Sequence, residues 1–160
     1  MGRIAKPAAR PKRSWEENAP SCSADLHIGT ALRETFRSFA RALAVNEAAL
    51  GLSIGMWFAL RALWEEDGIT QAALGKRIDM LPATVVSVVN SLEKAALVER
   101  RKSAIDRRIH CLHLTPAGRK LRKRATAKAF EVDARALANV ELKDIQTVLR
   151  VLAQLRKNLS

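Results

Sequence analysis

The stretch of residues 69–97 constrains the fold most, because it contains two helical patterns separated by only a few residues. In ITQAALGKRIDM, Thr70 is a suitable N-cap for a short helix whose buried side holds Leu74 and Ile78. In LPATVVSVVNSLEKAAL, Pro82 occupies a first-turn position, where the missing N–H of proline costs nothing. Two helices joined by so short a connection predict a helix-turn-helix unit.

The second of these helices has two chemically different faces. Its apolar residues recur at the i, i+3, i+4, i+7 spacing of one face, which is expected to join the core: Val85, Val88, Val89 and Leu92. The other face is predicted to expose small hydrogen-bonding side chains: Thr84, Ser87, Asn90 and Ser91. A polar outer face of this kind suits a helix that enters the major groove of DNA.

Further elements are predicted on both sides of this unit. Before it, Ser53 is a plausible N-cap and Gly68 a stop for a helix with an apolar face made of Met56, Trp57, Leu60, Leu63 and Trp64. After it, the runs 97–101 (LVERR) and 107–114 (RRIHCLHL) are short strand candidates joined by KSAID. Together the two strands predict a hairpin with a loop long enough to project as a wing.

Long amphipathic helices are predicted toward both ends of the chain. One runs from Ala24 to about Asn46, one from Thr115 to about residue 138, and one from about Glu141 with a seam close to a heptad. Residues 1–23 are rich in Pro, Ala, Ser and basic side chains without periodicity, and are expected to form a flexible basic arm. The rest of the chain, 24–160, is expected to be one domain.

The positive charge is concentrated in one segment. The net charge is +12, and residues 100–128 contain eleven Lys or Arg and a single acid, Asp106, whereas residues 24–99 contain seven basic and nine acidic side chains. A basic patch on an otherwise balanced domain favours nucleic acid first and a membrane surface second. For the run RKLRKR at 119–124, a merely solvated helix face remains the alternative.

Several other classes of function find little support in the sequence. There is no run of eighteen apolar residues and no signal sequence, so a cytoplasmic protein without a membrane partner is expected. Cys22 and Cys111 are far apart, and His110 and His113 are expected on opposite faces of a strand, so no metal site is predicted. No catalytic triad, paired carboxylates or phosphate-binding glycine loop appears, so neither an enzyme nor a cofactor is expected.

The region from Ser53 to Gly118 resembles the winged helix-turn-helix of the MarR/SlyA family of bacterial transcription regulators. The resemblance is carried by ITQAALGKRI, by PATVVSVVNSLEKAALVERR, and by DRR followed by LHLTPAG. It implies a mainly α fold with a small β-wing. The winged lobe would span about 53–115, and helices at about 24–47 and 116–159 would form a dimerisation body. It also implies a homodimer that leaves a palindromic operator on double-stranded DNA when a small aromatic acid or phenolic effector binds.

The same resemblance implies which residues meet DNA. Arg107 or Arg108 would enter the minor groove, and Asp106 would hold the arginine in position beforehand. The chain has Ser87 and Ser91 where family members often have Arg, so base recognition is expected from Asn90, the valine methyl groups and groove shape. Ala96 stands where Gly is common. The full set of expected DNA contacts is Thr70, Gln71, Thr84, Ser87, Asn90, Ser91, Arg100, Arg101, Asp106, Arg107 and Arg108.

The effector site is harder to predict. An aromatic carboxylate would suit a pocket in which Arg61 pairs with the acid, lined by Phe36, Phe39, Trp57, Arg61 and Phe130. The alternative is plain core for the rings and solvated surface for Arg61. Cys22 as a redox sensor is a further alternative. Three functions stay open: a ligand-responsive repressor, an architectural protein that coats DNA without sequence choice, and, with little support, a hydrolase or transferase.

Overall fold

The computed structural model describes residues 27–102 and 108–159. The chain divides into two compact units, Met1–Phe36 and Arg37–Ser160. In the first unit, the described residues form the beginning of a long helix, α1, which spans Ile28–Ala48. The predicted arm with Cys22, and the wing residues Asp106 and Arg107, lie outside the described residues.

The second unit contains the rest of α1 and eight further elements. They are α2 (Ile54–Glu65), β1 (Ile69–Thr70), α3 (Gln71–Ile78), α4 (Pro82–Lys94), β2 (Val98–Lys102), β3 (His110–Leu114), α5 (Pro116–Ala136) and α6 (Leu142–Leu159). This order confirms the prediction of a mainly α fold with a small β-wing and a helix-turn-helix at α3 and α4. None of the described helices has the length and apolar content to span a membrane.

The sheet has one strand more than the predicted hairpin. It is antiparallel with the order β1-β3-β2, and in it Ile69 pairs with Leu112 and Thr70 with Cys111. The sequence indicated Thr70 only as a helix cap, because a strand of two residues is too short to show alternation. Its pairing ties the start of the helix-turn-helix to the base of the wing.

Three helices begin at hydroxyl caps that the sequence indicated. The side-chain oxygens of Ser53, Thr70 and Thr115 accept hydrogen bonds from backbone N–H groups three residues further on, at 3.2, 3.1 and 3.0 Å. Caps of this kind contribute about 1 kcal/mol each. They set the first residues of α2, α3 and α5.

Helix α2 is the centre of the core. Helices α3, α4 and α5 and strand β3 all pack against it, and Leu60 and Leu63 are fully buried there. The indole of Trp64 donates a hydrogen bond to the carbonyl of Gly118 at 3.0 Å, which fixes α2 against the start of α5. Gly118 itself lies so close to the carbonyl of Leu97 that a β-carbon would overlap with it.

The turn between α4 and β2 depends on an unusual residue. Ala96 has φ of +56°, in the left-handed region where glycine is favoured. The N–H of Leu97 donates to the carbonyl of Leu92 at 2.9 Å and completes the end of the helix. The turn therefore forms without the glycine that the family resemblance led us to expect, at the cost of backbone strain at Ala96.

Candidate nucleic-acid interface

Helix α4 turns its polar face outward as predicted. Val85, Val89 and Leu92 are buried, and Val88 is partly buried beside them. Four small polar side chains are exposed on the other side: Thr84, Ser87, Asn90 and Ser91. The helix therefore presents small hydrogen-bonding side chains, together with the exposed Val86, while the core holds its other side.

The two serines of this face are hydrogen-bonded to each other. The hydroxyl of Ser91 donates to the carbonyl of Ser87 at 3.0 Å, four residues earlier on the helix. Because a hydroxyl has one proton, Ser91 then presents only acceptor lone pairs to solvent. A partner at this position must bring a donor.

Arg100 of β2 connects the wing to both helices of the helix-turn-helix. Its guanidinium donates to Oδ1 of Asn90 at 3.0 Å and to Oε1 of Gln71 at 3.1 Å. It also forms an ion pair with Glu93, and the backbone N–H of Arg100 donates to the same carboxylate at 3.2 Å. Gln71, Asn90 and Arg100 were each expected to contact DNA separately, but in the structure hydrogen bonds join them into one group.

The other expected wing residues are more exposed. Strands β2 and β3 pair in register, with Arg101 opposite Cys111, and the exposed Arg101 forms an ion pair with Glu99 on the same strand. Arg108 is exposed just before β3. Thr70, which was also expected to contact DNA, is partly buried, and its side-chain oxygen already accepts the hydrogen bond that caps α3.

The sequence interpretation missed a carboxylate that anchors the wing. Asp67 accepts hydrogen bonds from the N–H of Leu114 at 2.8 Å and from the guanidinium of Arg119 at 2.5 Å. Burial alone would raise the pKa of Asp67, but these two donors outweigh that effect, and the pKa lies below its usual value. Arg119 lies 52 residues further along the chain, so the acidic run EEDG at 65–68 gave no indication of its partner.

A second missed carboxylate lies in the helical part of the second unit. Glu47, near the end of α1, is fully buried, and within the described residues neither side-chain oxygen has a hydrogen-bond partner. Burial raises the pKa of Glu47 to about 7, although the positive charge of Lys128 opposes the shift. Its side chain is therefore largely neutral below neutral pH.

The residues expected to bind an effector differ in burial, from the buried Trp57 to the exposed Phe36 and Arg61. Trp57 is buried and packs edge to face against Trp64, with ring centroids 5.7 Å apart. Arg61 is exposed and lies 4.0 Å from Glu65 on its own helix, and Phe39 is partly buried. Phe36, in the first unit, is exposed.

Phe130 lines an open cavity of about 540 Å³ along α5. The other lining residues are mostly cationic: Arg119, Lys120, Arg122, Lys123, Thr126 and Ala127. The basic run at 119–124 thus borders a concave surface as well as solvent. Elsewhere, no three His, Cys, Asp or Glu side chains within 27–102 and 108–159 come together in a way that would hold a metal ion.

Comparisons with known proteins were made for the sequence and for the fold. The sequence model of the MarR family matches residues 52–110. A transcriptional repressor of Mycobacterium tuberculosis is 33% identical over 106 residues, which cover 66% of this chain and 76% of that protein. A regulator of the hcr operon described in Thauera aromatica is 36% identical over 93 residues, 58% of this chain. The chain spans about half of that relative's length, 54%.

Solved structures show the same fold. A transcriptional regulator from Pseudomonas aeruginosa superimposes with a TM-score of 0.75 at 34% identity, covering 83% of this chain and 99% of that one. A MarR family protein of Mycobacterium tuberculosis in complex with salicylic acid superimposes with a TM-score of 0.69 at 29% identity, covering 82% and 98%. The winged lobe and the long helices together are therefore shared with these proteins.

Proposed function

Because the chain belongs to the MarR family of transcriptional regulators, we propose that it is a homodimeric repressor that leaves a palindromic operator when a small aromatic acid binds. The observation that carries the DNA-binding part is the exposed polar face of α4 beside the basic wing. In a dimer, two such helices would enter major grooves about 34 Å apart, and Arg107 or Arg108 would reach the minor groove.

The homodimer is supported by the apolar side of α6. No residue of this helix is buried in the single chain. The apolar residues of its heptad-like seam are therefore exposed, with Val148 at 55% and Leu149 at 60%. A contiguous apolar stripe of this kind in water marks an interaction surface. A second copy of the same helix, related by a twofold axis, would cover it with a matching stripe.

An aromatic acid as effector is supported by the salicylic acid bound to the Mycobacterium tuberculosis relative. In this chain, two places offer an aromatic ring near a cation. One is the predicted pocket with Arg61, and the other is the open cavity, whose lining includes both Phe130 and Lys123. Cationic groups pair with a carboxylate, and aromatic rings stack with its ring.

A second candidate function is a DNA-coating protein of low sequence preference. It is favoured by Ser87 and Ser91, which cannot make the bidentate contact of an arginine with guanine, and by the basic segment at 100–128. Such a protein would bind through phosphates, and its affinity would be nearly the same for all sequences.

Selection from a random library of DNA duplexes tests the two functions against each other. A repressor of this family is expected to enrich a palindrome, and that duplex should outcompete genomic DNA by at least about a thousandfold. Equal competition by the palindrome and by genomic DNA would reject the repressor and support the coating protein. The salt concentration must be held constant, because phosphate contacts dominate both affinities.

The effector is tested by thermal shift with salicylate, followed by a gel shift with the selected duplex. A ligand that binds only the folded state raises its melting temperature. Loss of the shift in Arg61→Ala would support the predicted pocket, and loss in Lys123→Ala would support the cavity along α5. Arg135→Ala, at the last turn of α5, is the control. Unchanged DNA binding at saturating salicylate would contradict release by this class of ligand.

A further inference from the structure

We propose that Arg100 is a positioning residue that turns the amide oxygens of Gln71 and Asn90 toward the protein and their NH₂ groups toward DNA, so that Asn90 reads guanine. The inference rests on the proposed function, since only a sequence-selective protein has a base preference to set. It concerns the polarity of the surface, meaning which positions donate and which accept hydrogen bonds.

The geometry of the Arg100 group carries the first step. One terminal nitrogen of the guanidinium, Nη2, serves both amides, with Oδ1 of Asn90 at 3.0 Å and Oε1 of Gln71 at 3.1 Å. The other terminal nitrogen engages Glu93, whose second oxygen accepts from the backbone of Arg100. With its side chain only 28% exposed, Arg100 is held by the first residue of α3, by α4 and by its own strand.

The orientation of the amides follows from donor chemistry. A guanidinium has five N–H donors and no acceptor, so the amide atom that faces it must be the oxygen. The oxygen and the nitrogen of an amide are bonded to the same carbon and point in different directions. Because Asn90 is exposed and Arg100 occupies its oxygen, the NH₂ group is the part of the amide left to meet DNA on the solvent side of α4.

The base preference follows from this orientation. A side-chain amide recognises adenine by donating to N7 and accepting from the N6 amino group, and for that contact its oxygen must face the base. Guanine presents two acceptors, N7 and O6, on the same edge. The clamped Asn90, with only its NH₂ group available, therefore fits guanine better than adenine or thymine, each of which presents a single acceptor there. Gln71 begins the helix that crosses the DNA backbone in this fold, so its NH₂ group suits a phosphate oxygen.

The charge of Arg100 is already balanced by Glu93. Neutralising phosphates releases counterions and makes affinity fall with salt, but a cation paired within the protein contributes little to that effect. A change at Arg100 should therefore alter base choice more than the salt dependence of affinity. If Arg100 contacted a phosphate directly, its loss would instead reduce the salt dependence of affinity.

The test compares selected duplexes for the wild type and for two variants. Arg100→Lys keeps a charge opposite Glu93, but its single nitrogen replaces the two that separately serve Glu93 and the amides. The wild type is expected to prefer guanine to adenine at least about tenfold at one position of each half-site. In Arg100→Lys that ratio should fall close to one, with an unchanged salt slope. The control Arg77→Lys makes the same change at an arginine of α3 that is ion-paired with Glu66 and is not among the expected DNA contacts, and it should keep the preference.

A second variant, Asn90→Asp, identifies the position of the half-site that Asn90 contacts. Its result does not depend on whether Arg100→Lys folds. The carboxylate still accepts from Arg100 but has no NH₂ group, so guanine should be lost at the same position. Guanine retained there in Arg100→Lys would overturn the positioning role of Arg100. Guanine retained in Asn90→Asp, or adenine there in the wild type, would overturn base reading by Asn90, and each of these outcomes leaves the proposed regulator intact. No enriched sequence with the wild type would overturn both.

Discussion

At the scale of single residues, Ala96 has a strained backbone conformation that lowers the stability of the folded state. Its φ of +56° is strained for a residue with a β-carbon, and the hydrogen bonds of Leu97 and Ala96 to the end of α4 hold it there. Ala96→Gly should stabilise the protein by about 0.5–1 kcal/mol, because relief of strain exceeds the entropy that glycine loses on folding. Urea unfolding measures the change.

The neighbouring residue provides the control for this prediction. Ala95 has φ of −81°, which alanine adopts without strain, so Ala95→Gly should be neutral or destabilising. A gain in stability from Ala95→Gly as large as that from Ala96→Gly would show that backbone strain is not the cause.

Glu47 predicts how stability depends on pH. Its pKa rises from an ordinary 4.5 to about 7 on folding, so its neutral form favours the folded state below pH 4.5, and this contribution is lost as pH rises through 7. Glu47→Leu removes a buried carboxylate without partners, and should stabilise the protein by about 1–3 kcal/mol at pH 8. The gain should be smaller at pH 5.

Melting temperatures of the wild type and Glu47→Leu at the two pH values check this expectation. Glu141→Leu is the control, because Glu141 is exposed and paired with Lys143, which is not among the charges that shift the pKa of Glu47. A stability difference between wild type and Glu47→Leu that is the same at pH 5 and pH 8 would contradict the raised pKa.

At the scale of elements, the base of the wing is held by hydrogen bonds to three helices. Asp67 and Arg119 join β3 to α5, and Arg100 joins β2 to α3 and α4. None of these hydrogen bonds involves Arg108, so its charge can be changed while they stay in place.

The tip itself is tested through Arg108. Arg108→Ala should weaken DNA binding and reduce the slope of log affinity against log salt by about one, as expected for one phosphate or groove contact. Titrations at several salt concentrations provide the measurement, with Arg135→Ala as the control for loss of one positive charge. An unchanged slope would argue against contact between Arg108 and DNA.

At the scale of the whole molecule, the exposed seam of α6 determines the assembly we expect. In a dimer, Leu149 would be buried, and Leu149→Glu would place an unpaired charge in the interface at a cost of about 2–4 kcal/mol. Light scattering should then show the 17.7 kDa monomer at concentrations where the wild type has twice that mass.

Gln154→Glu adds the same charge to α6 outside the seam, where Gln154 is hydrogen-bonded to Asn158. It should leave the dimer intact. A Leu149→Glu protein that remains dimeric would place the contact between copies elsewhere.

The sequence by itself determined the helices, the two strands of the hairpin and the apolar faces of the helices, but not strand β1. Apolar spacing in α2 and α4, and the caps Ser53, Thr70 and Thr115, depend on residues within a few positions of each other, so they can be interpreted before any folding is known. The order of these elements was enough to indicate the winged helix-turn-helix.

Only the tertiary structure decided which distant side chains meet. The pairing of Thr70 with Cys111, the contact of Arg100 with Gln71, and the burial of Glu47 join residues that are far apart in the chain or depend on what packs around them. Periodicity indicates which face of a helix is apolar, but it does not indicate which polar group on a second element lies opposite. The polarity of the α4 surface, and with it the proposed base preference, is therefore a property of the fold.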